Sequence, residues 1–137
     1  MTRSQIEQIR KEGENSYPQE CCGLLLGEMV EGVKLIRETY SVNNAREEAA
    51  KYNRFLIPPS AVHEAERYAR SRKLEVLGFY HSHPNAEARP SAFDLEHAWP
   101  FYSYVIVSVK DRQALELTCW RMQDDRTRFA PEEFTVE

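Results

Sequence analysis

Nowhere does this sequence hold an apolar stretch long enough to cross a bilayer. Its longest runs, near Leu24–Leu26 and Val105–Val107, fall far short of the roughly 20 residues a spanning helix needs. The opening segment MTRSQIEQIRKEG lacks the apolar core of a signal peptide. Positive charge is not in excess either: 18 Lys and Arg stand against 22 Asp and Glu, a net charge of −4, with no basic block. That excludes the electrostatic footprint of a nucleic-acid binder or of a protein held on an anionic membrane. Cysteine is scarce and odd in number, and two of the three residues are adjacent as Cys21 and Cys22, which is no disulfide framework. These thiols predict a reducing, cytoplasmic setting. No repeat, linker or compositional break divides the chain, so residues 1–137 are expected to form one domain.

What is present is enough for a core. A hydrophobic content of 42% with 29% charged residues describes a globular chain that needs no disulfide or metal staple to fold. Ser4 and Glu7 fit a capping box that opens a helix with Ile6 and Ile9 on its apolar face, ended by Gly13 and Tyr17-Pro18. CGLLLG, 22–27, reads as a buried strand, with Val33–Val42 as its hairpin partner across Glu31-Gly32. A loop is expected over Asn43–Lys51 and a strand over Tyr52–Ile57. Ser60 is then expected to cap a helix with Ala61, Val62, Ala65, Tyr68 and Ala69 on one face.

Leu74–His83 reads as a strand, followed by a loop to Pro90 and a short helix from Ser91 to about Ala98. Ser103–Val109 and Ala114–Met122 form a second hairpin across Asp111-Arg112, with Leu115, Leu117 and Cys119 alternating on one face. A last strand is expected near Phe134. The order is mixed α/β in the α+β sense, with much of the sheet antiparallel.

Three of the four histidines fall in GFYHSHPNAEARPSAFDLEHAW, residues 78–99. Side chains alternate across a strand, so His81 and His83 share a face and both imidazoles can reach one cation. Pro84 removes a backbone donor and ends the strand. Asp94, in the first turn of the next helix, can return towards the strand end. Two neutral imidazoles and one carboxylate suit Zn²⁺ and leave its fourth position for water, which then ionises near neutral pH and becomes a nucleophile. Such a site also needs a carboxylate that moves a proton without touching the metal, and Glu20, just before the CGLLLG strand, is a candidate. Other zinc patterns fail, because His63-Glu64 is followed by Arg67 where a second histidine is required, and no Pro-Cys-x-x-Cys occurs. Spacing alone leaves open the plainer reading: ordinary strand histidines and a Ser91-x-x-Asp94 helix cap.

Taken together, His81-Ser82-His83-Pro84, six residues, Ser91, two residues and Asp94, preceded by Glu20 and CCGLLLG, resemble the JAMM (MPN-plus) zinc metallopeptidase signature. Pro18 to Gly27, PQECCGLLLG, resembles the first-strand motif of the family's bacterial branch. The resemblance implies a cytidine-deaminase-like JAMM/MPN fold, with a curved, largely antiparallel mixed sheet flanked by helices. It also implies that His81, His83 and Asp94 ligate Zn²⁺. Glu20 would serve as general base and acid, and Ser91 would hydrogen-bond the oxyanion. Ser82 faces away and is expected to pack or support backbone. Cys21 and Cys22 are expected to be small buried groups on opposite faces. His63 and His97 are expected at the surface or in packing, and Glu87 and Arg89 as loop charges or as lining of the substrate entrance.

The chain is close to the family's minimal core, with little room for the insertions by which eukaryotic members clasp ubiquitin. Free-standing bacterial members resemble enzymes that act on ubiquitin-like sulfur carriers ending in Gly-Gly, releasing an amino acid, typically cysteine, or processing the tail. The resemblance therefore implies a zinc metallopeptidase whose partner is such a carrier or its adduct. Two other readings stay open: a peptidase acting on short or cell-wall peptides, and a non-catalytic scaffold that binds ubiquitin-like tails. Family members often form homodimers, although no exposed apolar helix argues for one here.

Overall fold

The computed structural model describes residues 1–42, 57, 59–125 and 127–136, without the side chains of Phe93 and His97. The loop expected over Asn43–Lys51 and the strand expected over Tyr52–Ile57 lie outside the described residues, apart from Ile57. The elements are α1 (Arg3–Ser16), β1 (Cys22–Val30), β2 (Val33–Val42), α2 (Pro59–Ser71), β3 (Glu75–Pro84), α3 (Ala92–His97), β4 (Ser103–Lys110), β5 (Gln113–Met122) and β6 (Phe129–Pro131). Six strands form one sheet in the order β2-β1-β3-β4-β5-β6. Every neighbouring pair is antiparallel except β3 and β4, which run parallel. This is the expected α+β architecture.

Two helix starts differ from the sequence expectation. Thr2, not Ser4, caps α1: its hydroxyl accepts from the Gln5 N–H at 3.1 Å, and the Gln5 carbonyl oxygen accepts from the Thr2 N–H at 2.9 Å. Both stretches satisfy the capping pattern, but Gln5 also donates to the Ile36 carbonyl of β2, a tertiary bond that favours the earlier start. In α2, Ser60 is the second helical residue and not the cap. Pro59 fills the first position, where its missing N–H leaves nothing unsatisfied.

The apolar pattern sorts onto the two faces of the sheet. On one, Ile9 of α1 packs against Leu25, Tyr80, Val105, Val107 and Val109. Gly13 lies inside α1 and does not end it. A methyl group there would sit 3.0 Å from Val109 and 3.3 Å from Ser82, so glycine lets the helix press onto β3 and β4. On the other face, Ala65 and Ala69 of α2 pack against Leu24 and Leu26. Tyr68 stays at the rim, where its hydroxyl donates to Glu38. α3 adds Leu95 to a cluster with Ala98, Tyr104 and Met122.

β5 does not keep the simple alternation expected of it. Val107 pairs with Leu117 and Val109 with Ala114, so β5 carries an extra residue opposite Ser108. This bulge turns Ala114 inward and leaves Leu115 exposed. Arg10 of α1 donates to the carbonyls of Ala114 and Leu115, satisfying backbone groups at the irregularity. The last strand is β6, earlier than Phe134, which instead packs against the α1-side core.

The parallel pairing of β3 and β4 starts at Gly78 opposite Ser103, and a Cβ at Gly78 would lie 2.2 Å from the Ser103 carbonyl oxygen. Gly78→Ala must push apart two interior strands and is expected to cost about 3 kcal/mol. Urea unfolding checks this, and a midpoint equal to wild type would contradict it.

Candidate metal centre

β3 ends in the site. His81 and His83 project from one face of the strand, while Ser82 projects from the other and is fully buried. Antiparallel pairing of Cys22 with His81 brings the start of β1 to the same end of the sheet. Glu20, two residues before Cys22, is buried there at 4% exposure, an unusual place for a carboxylate without a task. Ser82 fixes this approach from behind: its hydroxyl accepts from the Cys21 N–H at 2.8 Å, and its own N–H donates to the Cys21 carbonyl at 3.1 Å.

Asp94 arrives from α3. The Ser91 hydroxyl accepts from the Asp94 N–H at 3.1 Å, and the Ser91 N–H donates to Asp94 Oδ2 at 2.7 Å. The helix cap and the candidate ligand are thus one structure, so the plain reading and the metal reading of Ser91-x-x-Asp94 are compatible. Asp94 Oδ1 lies 3.3 Å from His81 Nε2, and Oδ2 lies 3.3 Å from His83 Nε2. The two Nε2 atoms are 3.0 Å apart. Among the described residues, these three side chains form a group whose ligand atoms all lie within 4.8 Å of one another.

The chemistry of this donor set can be tested against a cation. His83 Nδ1 is 2.9 Å from the Glu87 carbonyl, an acceptor, which puts the ring proton on Nδ1 and leaves Nε2 with its lone pair facing Asp94. Lone pairs and a carboxylate aimed at one point repel unless a proton or a cation lies among them. The local electrostatics agree. Burial opposes charge on Asp94, but the two imidazoles and the Ser91 N–H outweigh it and hold the carboxyl well below the usual range. Burial also opposes charge on His83, yet Asp94, the Glu87 carbonyl and Glu20 raise its pKa. His81 is lowered, chiefly by burial. The residues fit a divalent cation of the zinc type, with a carbonyl orienting one imidazole from behind.

The remaining expected residues fall as follows. Cys21 packs in the α1-side core, and burial pushes its thiol up to about 12. Cys22 is also buried, its thiol directed to the Val42 carbonyl. His63 is exposed on α2, and the expectation for the His97 side chain lies outside the described residues. The Glu87 and Arg89 side chains are solvent-exposed and paired with each other at 3.4 Å. The contribution of Glu87 to the site is its backbone carbonyl, which its side-chain identity could not signal.

Known proteins share this sequence pattern and this fold. The family model for prokaryotic homologs of the JAB domain matches residues 2–123. A desampylase from Haloferax volcanii is 34% identical over 109 residues, which cover 78% of this chain and 75% of that one. The solution structure of a protein from Salinibacter ruber is 37% identical with a TM-score of 0.78, covering 99% of this chain and 90% of that one. A JAB1/MPN domain protein from Archaeoglobus fulgidus shares the fold at a TM-score of 0.61 and 20% identity, covering 99% and 93%. The sheet and the flanking helices are those of a JAB/MPN-type domain. The chain belongs to the prokaryotic JAB family.

Proposed function

We propose that this protein is a zinc metallopeptidase that hydrolyses the amide bond at the Gly-Gly tail of a ubiquitin-like carrier protein. The observation that carries this reading is the convergence of His81 Nε2, His83 Nε2 and the Asp94 carboxylate on one point beside a buried Glu20. The relative named desampylase supports a ubiquitin-like substrate over a short peptide. Complete metal-ligand chemistry favours an enzyme over a scaffold, which has no use for it.

His81, His83 and Asp94 would hold the ion. Zinc, when held there, supplies Lewis acidity, which makes a water acidic near neutral pH and polarises the scissile carbonyl. The protein's own residues do the rest. Glu20, buried and facing the histidines' end of the sheet, accepts the proton of the attacking water and returns it to the leaving amine. Ser91 accepts from the Asp94 N–H through its oxygen and keeps its own O–H proton to donate to the developing oxyanion.

The test incubates zinc-loaded protein with carrier–cysteine adducts, isopeptide-linked carrier and short control peptides, followed by mass spectrometry. Loss of the group beyond Gly-Gly, at rates at least tenfold above any control peptide, is expected. Cleavage of short peptides alone would move the activity to the peptidase reading, and zinc binding without any cleavage would favour the scaffold.

A further inference from the structure

Between His83 and Asp94 the chain crosses residues 85–91, and hydrogen bonds from the sheet hold this crossing in place. The Asn85 N–H donates to the Val109 carbonyl at 2.6 Å, and the Tyr17 hydroxyl donates to Asn85 Oδ1 at 2.9 Å. Ser108 of β4 donates its hydroxyl to the Ala86 carbonyl at 2.5 Å. Thr118 of β5 donates its hydroxyl to the Ala88 carbonyl, also at 2.5 Å. The Trp120 indole N–H donates to Thr118 Oγ1 at 2.8 Å, which leaves the Thr118 proton directed at that carbonyl. The Ala88 methyl is fully buried, so the loop is seated by packing as well.

The consequence falls on the residue in the middle. With the carbonyls of Ala86 and Ala88 both held by sheet hydroxyls, the Glu87 carbonyl between them is the one that faces His83 Nδ1. The Arg89 N–H, which donates to the same carbonyl at 2.8 Å, closes the turn around it. We propose that Ser108 and Thr118 are positioning residues of the metal centre. They aim the Glu87 carbonyl at His83 and so keep the ring proton on Nδ1 and Nε2 free to bind a cation. Both hydroxyls are spent on loop carbonyls, so each acts on the site through the loop. With the hydroxyls gone, the Glu87 carbonyl can turn to solvent and the proton can move to Nε2, where it blocks ligation. This inference rests on the metal-centre reading of His81, His83 and Asp94, and outer-sphere partners of this kind typically govern 10- to 100-fold of metal affinity.

The experiment measures Zn²⁺ affinity by competition with a chromophoric chelator for wild type, Ser108→Ala, Thr118→Val and Thr118→Ser. The two hydroxyl deletions are expected to weaken binding about tenfold each, and Thr118→Ser to restore it. Thermal midpoints of the metal-free proteins should stay within a few degrees of wild type, which separates positioning from general destabilisation. Deletion variants that bind zinc as tightly as wild type overturn the proposal, as does a Thr118→Ser variant as weak as Thr118→Val. A second readout needs no metal: nitrogen-15 spectra of the imidazoles at a pH where His83 is neutral. Wild type should show the Nδ1–H tautomer, and the double variant Ser108→Ala/Thr118→Val a mixture. If wild type binds no zinc, the metal reading itself falls, and an unchanged tautomer in the double variant then overturns the positioning role separately.

Discussion

Glu20→Gln should leave zinc bound at wild-type stoichiometry and lower turnover by about 10²- to 10⁴-fold, the usual worth of a positioned proton carrier. The amide has nearly the shape of the carboxylate, so the packing that buries Glu20 is preserved. It cannot accept a proton, and so the transfer from water to leaving amine has no carrier. The position itself is rigid, because the neighbouring Cys21 is tied front and back to Ser82 of β3. Metal content by mass spectrometry alongside kcat on a carrier adduct checks both halves. A variant that keeps full activity removes Glu20 from the reaction, and one that loses zinc makes it a ligand.

His83→Ala should lose metal and activity together. The imidazole supplies one of three ligand atoms and one of the two ring nitrogens that face the buried Asp94 carboxylate. Its removal leaves Asp94, at 8% side-chain exposure, facing His81 alone. Wild type should gain thermal stability as zinc is added, by about 2.7 kcal/mol when free zinc reaches a hundred times its dissociation constant. The variant should gain none over the same range, which differential scanning calorimetry measures directly. Zinc stabilisation that survives the substitution would place the ion elsewhere.

Local chemistry made much of this protein legible from its sequence. Both hairpins were readable because their turns carry residues suited to positive φ or to solvent, Glu31-Gly32 and Asp111-Arg112. His81, His83 and Asp94 were readable because a strand alternation and a helix cap are both short-range patterns. Glu20 was not readable in the same way. Its position before the CGLLLG strand made it a candidate, but its neighbourhood depends on the pairing of Cys22 with His81 across the sheet, so the family resemblance was needed to give it a role. The capping frame at Thr2 escaped because two overlapping patterns are equally good locally, and a bond from Gln5 to β2 decides between them. Leu115 escaped because a bulge resets alternation without any glycine to announce it. The Glu87 carbonyl and the hydroxyls of Ser108 and Thr118 left no trace in the pattern, since backbone acceptors look alike at every residue.

Parallel pairing of β3 and β4 obliges the chain to return from one end of the sheet to the other, and Asp94 is borne on that return. The tips at Glu31-Gly32 and Asp111-Arg112 are exposed, so lengthening them costs little, about 0.6 kcal/mol per doubling. The return path is different, because Asn85, Ala86, Glu87, Ala88, Ser91 and Asp94 are each matched to a partner. Growth of this protein by insertion, in the laboratory or by descent, therefore has room at the hairpin tips. Between the histidines and the aspartate, a single added residue would put every later partner out of step.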